Sequence, residues 1–511
     1  MRQDSVQIEG ASALAPAANG NGALASSAGG AAHAQATVAL PALPELRIPR
    51  RLRDVRVPRV LYEARAGRIA LASIVVLVLA MVIYDSGGPT LLVPRSSQIF
   101  SAWEAGPLYG IVKGLHPGST ALAYALSALI LAMLAAYGVA LAALRTLPGR
   151  MIAACIVAAH AILLLGPPFQ LTDMFNYLGY ARLGGLHGMN PYTHVIGQEM
   201  HDPVFHYATW LNLHSPYGEL FTALSYPLAR LPVPVAYWIV KVATVLLSLT
   251  FIGLVCDCAR RLGRDPRFAA VLVGLNPIYL VYAVGGFHND FFMLVPSTAA
   301  IALLLSRRER SAGAMLTLAV AVKFTAVLLL PFLLVAARST KRRREVVLGA
   351  VLAAVPVIVM SVALFGFSLP NLSQQGTLLT PFSFTNLFGY AFGLGGGAPW
   401  LLRLADVALV VVVVLLIRRR GDWLSHAGWA TVALIASLAW VMPWYVIWVL
   451  PLAALGSSER LRRTVLVMTA FLVLTFLPSS GKLWALLHLD PLSGSAGQAS
   501  QTLQGKLSWY P

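Results

Sequence analysis

An all-α polytopic membrane protein is the fold class this sequence predicts, on three observations. Hydrophobic residues make up 58% of the 511 and charged residues only 11%, whereas water-exposed globules carry roughly 25% charged residues. Long apolar runs recur along the chain, several of them close to the length of a bilayer crossing. The excess of 38 Lys+Arg over 20 Asp+Glu, a net charge of +18, is gathered into clusters between those runs, the distribution that the positive-inside rule produces. A basic chain can also bind nucleic acid, but the apolar runs decide for a lipid bilayer as the partner. Cys155, Cys256 and Cys258 are the only cysteines, too few for a disulfide framework or a four-cysteine zinc site. No cofactor and no metal is expected.

Residues 1–44 are rich in Ala, Gly and Ser and read as a disordered cytoplasmic tail. Residues 45–68 form a basic juxtamembrane segment, with eight arginines from Arg47 to Arg68. The run Ile69–Tyr84 follows too long a polar stretch, and precedes no small-residue cleavage pattern, so it reads as a retained anchor with a cytoplasmic N-terminus. Residues 69–478 constitute the transmembrane domain, and 479–511 an extracytoplasmic tail. Within the domain, further spans are expected near 119–144, 151–167, 235–256, 268–284, 291–306, 346–366, 398–417, 427–441, 446–457 and 463–478.

Orientation follows from the basic clusters: Arg145 with Arg150, Arg260 to Arg267, Arg307 to Arg310, Arg338 to Arg344, Arg418 to Arg420 and Arg460 to Arg463. With these inside, the segments 85–118, 168–215, 285–290, 367–397 and 442–445 lie outside. Pro216–Leu231 is apolar, but counting it as a crossing would bring the Arg260 cluster out, so it reads as re-entrant or interfacial. Ser311–Ala337 lies between two inner clusters and offers arms of only roughly 20 Å at 1.5 Å per residue, a re-entrant hairpin with its tip near Lys323. The expected total is about 11 to 14 crossings.

The outer segments hold nearly all the non-basic polar motifs. Asp173, Asn176, Tyr177, Tyr180, Asn190, Tyr192 and Tyr217 bring flat apolar faces together with amides and an acid, the combination that binds a sugar's C–H faces and vicinal hydroxyls. Asp173 stands just beyond a span, placed to act as general base at the membrane surface; it could equally cap the helix that follows. His288, Asn289 and Asp290 are three consecutive polar groups at a span mouth, needing partners or water. They suit substrate hydroxyls, a metal, or, for Asp290, a helix cap. Lys323 sits among apolar neighbours, and charge at such depth usually faces an interior or a water-filled site. A phosphate would answer it, and so would a buried acid such as Asp406. Arg403 is a second candidate phosphate ligand, sharing a helix face with Asp406. Trp444 and Tyr445 belong to an aromatic outer turn, read either as an interfacial belt or as a platform for sugar or lipid.

Taken in order, Asp173-x-x-Asn-Tyr, Asn190-Pro-Tyr-Thr, Ser215-Pro-Tyr-Gly, Gly286-Phe-His-Asn-Asp290, Ala-Val-Lys323 and Pro443-Trp-Tyr resemble the actinobacterial polyprenol-phosphate-mannose-dependent α-1,6-mannosyltransferases, membrane glycosyltransferases of the GT-C fold. The resemblance runs from about 165 to 455 and departs from the family pattern at Glu219 and Phe287. It implies a GT-C-like bundle in the cell membrane, a polyprenyl-phosphate-linked mannose donor, and a lipomannan-type glycan or glycolipid acceptor on the outer face. By the family pattern Asp173 matches the catalytic aspartate. On this reading His288 is a second candidate base. Asn176, Tyr177, Asn190, Tyr192, Tyr217, Asn289, Asp290, Trp444 and Tyr445 bind substrate, and Lys323 with Arg403 holds the donor phosphate. The rival classes are a transporter or flippase of lipid-linked or anionic cargo, since intramembrane Lys and Arg also mark transport paths, and an enzyme of the same fold using another polyprenyl-linked sugar.

Overall fold

The structure, a computed structural model, describes residues 63–115, 118–170, 173–371 and 375–508. The expected disordered tail, and the basic segment up to residue 62, lie outside them. Among the described residues the chain is entirely helical. Five helices are long and apolar enough to cross a bilayer: Ala64–Ser86, Ser119–Ala142, Val233–Arg261, Thr340–Phe365 and Pro399–Arg418. Two bent pairs, Pro266–Gly274 with Ile278–Val284 and Glu459–Thr475 with Ser480–Leu486, raise the number to seven. Gly149–Leu165, Asp290–Leu305, Phe324–Ala336 and Pro443–Leu455 are shorter apolar helices, and only if all of these were crossings would the count reach the lower end of the 11 to 14 expected. The protein is a multi-pass membrane protein. The Thr340–Phe365 helix exposes Val351, Val355, Ile358 and Val359 by more than half of each side chain, a surface suited to lipid and costly in water.

The helices are broken where chemistry is concentrated. Asn276 and Pro277 separate Pro266–Gly274 from a π-helical stretch, Ile278–Val284, at a 54° bend. Asn276 turns its amide to the Thr469 hydroxyl at 3.1 Å and accepts from the Ile278 backbone N–H at 3.0 Å, answering polar groups that lipid would leave unpaired. The helix Glu309–Val322 ends at Lys323, whose extended backbone starts a 3-10 stretch, Phe324–Leu329. Pro216–Leu231 forms two short pieces, Glu219–Ser225 and Tyr226–Arg230, too short to cross.

One end of the bundle is basic. Arg310 pairs with Glu345 at 2.8 Å, Arg342 with Glu309, Arg264 with Asp422 at 3.7 Å, and Arg462 lies over the Phe268 ring at 5.5 Å. Fourteen residues of helix, Glu309–Val322, about 21 Å at 1.5 Å per residue, separate that end from Lys323. The C-terminal segment, expected only as a tail, forms the helix Ser495–Ser508 and packs on the loops around residues 212 and 378. Leu507 clusters with Leu213 and Leu378, the Asn212 amide donates to the Lys506 carbonyl at 3.0 Å, and the Ser500 hydroxyl accepts from the Leu379 N–H at 2.7 Å. Its polar outer face hid this docking from a reading based on apolar runs.

Candidate active site

Four chain segments meet at the end of the bundle remote from the arginines. The Asp290–Leu305 helix supplies its first residue. Asp290 is 1% exposed, and it does not serve as a cap: Asn289 holds the N-cap position, without a side-chain cap bond. The Asp290 carboxylate instead accepts from the Lys323 ammonium at 2.8 Å and from the Trp448 indole N–H at 2.5 Å. Lys323 thus pairs with an acid 33 residues away rather than with Asp406. Its side chain stays 23% exposed, against 1% for Asp290.

The 3-10 stretch Pro443–Trp448 explains the aromatic cage around that pair. Residues three apart eclipse one another in such a helix, which brings Tyr445 and Trp448 into a stack with ring centroids 4.3 Å apart. Lys323 lies 5.4 Å and 5.0 Å from their centroids, within cation–π range. Trp444 is turned to another side and stacks on His288 at 3.6 Å with 17° between the rings. Trp448 belongs to the same aromatic turn, of which only Trp444 and Tyr445 were expected to bind substrate. The Tyr-x-x-Trp spacing was its only signal, and reading it required knowing that the turn is 3-10.

Asp173 occupies the N-cap position of the helix Met174–Gly185, yet its side chain makes no cap bond. It is half-buried and receives hydrogen bonds from the Tyr217 hydroxyl and the Trp210 indole. Burial pushes its carboxyl up from 3.8 to about 7, while the nearby Lys323 ammonium pulls the other way and Asp290 adds to the rise. Through those charges Asp173, Asp290 and Lys323 form one electrostatic unit. Burial pushes the His288 imidazole down to about 3, so the ring is neutral at pH 7. Neither of its nitrogens has a partner, and the Asn289 amide nitrogen and the Ser215 hydroxyl are likewise buried and unpartnered. Such orphans are rare and call for a ligand or water.

The other expected residues divide into those that face the cluster and those that hold it. Tyr177 lies edge-on to Tyr217 at 4.8 Å, and its hydroxyl accepts from the Asn289 backbone N–H at 3.0 Å, tying the Asp173 helix to the His288 turn. Asn176 is fully buried. Its oxygen accepts from the Thr209 and Trp210 backbone and its nitrogen donates to the Trp210 carbonyl at 3.1 Å, so it fixes the loop that presents Trp210 to Asp173. Asn190 donates to the Phe365 carbonyl at 2.8 Å, and the Tyr192 hydroxyl donates to the Tyr217 carbonyl at 2.9 Å. Tyr192 therefore supports the Ser215-Pro-Tyr-Gly strip, and Asn190 ties its loop to the end of the Thr340–Phe365 helix. Gly218 lets that strip press against Lys323's neighbours: its N–H donates to the Val322 carbonyl at 3.1 Å, and a Cβ there would strike the Ala321 and Val322 backbone. Arg403 is exposed on Pro399–Arg418, and among the described residues no ion pair joins it to Asp406 or to the Asp290 cluster. Among the described residues no three His, Cys, Asp or Glu side chains converge as a metal cage requires.

Residues 71–339, which carry Asp173, His288, Asp290 and Lys323, match the family described as alpha-(1->6)-mannopyranosyltransferase, N-terminal domain. Residues 400–489, which carry the aromatic cage, match the MptB C-terminal domain. The chain is 27% identical to alpha-(1->6)-mannopyranosyltransferase A of Mycobacterium tuberculosis over 370 residues, covering 64% of this chain and 70% of that one. It is 26% identical to alpha-(1->6)-mannopyranosyltransferase A of Corynebacterium glutamicum over 185 residues, 33% of this chain and 35% of the relative. No solved structure matches.

Proposed function

Because the chain belongs to the alpha-(1->6)-mannopyranosyltransferase family, we propose that it transfers mannose from a β-linked polyprenyl phosphate to a (lipo)mannan-type acceptor on the outer membrane face, forming an α-1,6 linkage. The observation that carries this reading is the convergence of Asp173, Asp290 and Lys323 beside buried, unpartnered polar atoms, at the bundle end remote from the arginine clusters. A one-sided site of this kind suits chemistry better than transport, whose polar groups open to both faces near the midplane.

The Asp173 carboxylate takes the proton of the acceptor hydroxyl as that oxygen attacks C1 of the donor. Attack from the face opposite the phosphate breaks the C1–O bond with inversion, so a β-donor yields an α-product. The electron pair leaves on the polyprenyl phosphate, whose charge rises from one to two negative units as the bond breaks. Lys323 meets that growing charge, exchanging part of its bond to Asp290 for one to phosphate. Asp290, relieved in turn and still held by Trp448, is free to accept from a sugar hydroxyl. His288 and Asn289 offer hydrogen bonds to the mannose hydroxyls, while the neutral imidazole is too weakly basic to rival Asp173. Tyr177, Tyr217, Trp444 and Tyr445 supply flat faces for the sugar rings. Arg403, exposed and outside the cluster, has no part in the transfer.

The test is to incubate the purified protein with a β-linked polyprenyl phosphomannose and an α-mannose oligosaccharide. The expected result is one added α-1,6-linked mannose, read from the anomeric proton and its coupling. A β-linked product, or transfer from a different polyprenyl-linked sugar alone, would contradict the proposal.

A further inference from the structure

Trp210 reaches Asp173 from a loop whose backbone and ring are held by different residues. Asn176 fixes the backbone, accepting from the Thr209 and Trp210 N–H groups at 3.1 Å and 3.3 Å. A fixed backbone still leaves the indole its side-chain torsions, and the bond to Asp173 needs them set. The ring is seated elsewhere. Trp440 meets it edge-on, with centroids 5.8 Å apart, and it packs on the apolar cluster of Leu213, Leu378 and Leu507, with Leu503 alongside. Leu503 and Leu507 belong to the C-terminal helix Ser495–Ser508, four residues apart on one face.

That helix is bonded to both segments that surround the indole. The Asn212 backbone N–H donates to the Leu507 carbonyl at 2.9 Å and its amide to the Lys506 carbonyl at 3.0 Å. The next residue, Leu213, accepts through its carbonyl from the Tyr180 hydroxyl at 2.7 Å, which ties this loop to the helix that follows Asp173. On the other side the Leu379 N–H donates to the Ser500 hydroxyl at 2.7 Å. The Thr380 hydroxyl in turn accepts from the Val441 N–H at 3.1 Å, beside Trp440.

We propose that Ser495–Ser508 is a positioning element of the active site, whose Leu503 and Leu507 hold the Trp210 ring so that its indole N–H meets the Asp173 carboxylate. The inference rests on Asp173 as the base and adds an element that touches no substrate. A carboxylate taking a proton from an attacking hydroxyl works in a narrow range of geometry, and a misplacement of about 1 Å costs on the order of a hundredfold. Two anchors of different kinds, amide bonds on the backbone and leucines on the ring, confine the indole to one orientation.

The experiment is a double-mutant cycle on the full chain, reading mannosyl transfer from a polyprenyl phosphomannose at equal amounts of folded protein. Trp210→Phe removes the indole donor, and Leu507→Asp puts a charge into the apolar cluster and releases the helix. Each should lower kcat by about tenfold or more with donor KM within about twofold of wild type. The double variant should be no slower than the slower single one, because both act through the same bond. Leu507→Met, apolar and of similar volume, should keep kcat within about twofold of wild type, and so should Gln501→Ala on the exposed side of the helix. If Leu507→Asp does not fold, Leu507→Ala should give the same ordering with a smaller change. An unchanged kcat in the folded Leu507 variant, or losses that multiply in the double variant, would overturn the inference and leave the helix as packing alone. A wild type that transfers no mannose, or an Asp173→Asn protein that keeps its turnover, would instead overturn the functional reading, and the inference with it.

Discussion

Two lysines, Lys323 and Lys241, differ in whether the ammonium is sealed against its partner. Lys323 donates to Asp290 at 2.8 Å with its side chain 23% exposed. Lys241 and Glu104 are 0% and 1% exposed. Lys241 donates to the Gly166 carbonyl at 2.5 Å and lies between the Trp238 and Phe287 rings, 4.2 Å and 4.8 Å from their centroids. Burial pushes the Glu104 carboxyl up to about 8, with the Lys241 charge opposing the shift. Lys323 keeps part of its side chain exposed, while Lys241 is sealed. Lys241 thereby braces two loops at once: Gly166, leading to Asp173, and Phe287, beside His288. Phe287 needs that brace, because its φ of 51° is a left-handed conformation that costs a non-glycine residue roughly 1 kcal/mol or more.

Substitutions should separate the two lysines. Lys323→Met is expected to lower kcat/KM about a thousandfold, the upper range for loss of one donor to a developing anion, with a much smaller change in thermal stability. A fall in stability that matched the fall in activity would make Lys323 structural. Lys241→Met should do the reverse, costing about 1.5–3 kcal/mol for its charge-assisted bond to Gly166, read as a lower unfolding midpoint in detergent, with residual activity proportional to folded protein. The pH profile sharpens the contrast. Burial raises Asp173, so the base is protonated below its pKa of about 7; the rate should fall about tenfold per pH unit below that point and level off above it. A profile flat from pH 5 to pH 8 would move the base elsewhere. Arg403→Ala, exposed outside the cluster, should change kcat/KM by less than about twofold in the same assay.

The sequence made the helical membrane class and most of the site segments legible, because apolar length and polar clusters are local signals. Partnerships between distant segments were not legible. Nothing local links Asp290 to Lys323, or Lys241 to the Gly166 carbonyl 75 residues away. Asn176, Asn190 and Tyr192 resembled substrate ligands because amides and phenols serve sugars and backbone alike; only their hydrogen bonds reveal that they hold the loops. The docking of Ser495–Ser508 went unseen for a related reason, since a polar helix carries little apolar periodicity. The crossing count was blurred where Lys323, Asn276 and Pro443 interrupt helices, at or near the positions where the site and its supporting network are built.

The most direct measurement of the central claim is mannosyl transfer by Asp173→Asn beside wild type, with both proteins folded and equally abundant. The substitution keeps the shape and one accepting oxygen but removes the base. The account predicts a fall in kcat of about a hundredfold to ten-thousandfold with donor KM nearly unchanged. Turnover within about threefold of wild type would contradict it and take the proton transfer away from Asp173.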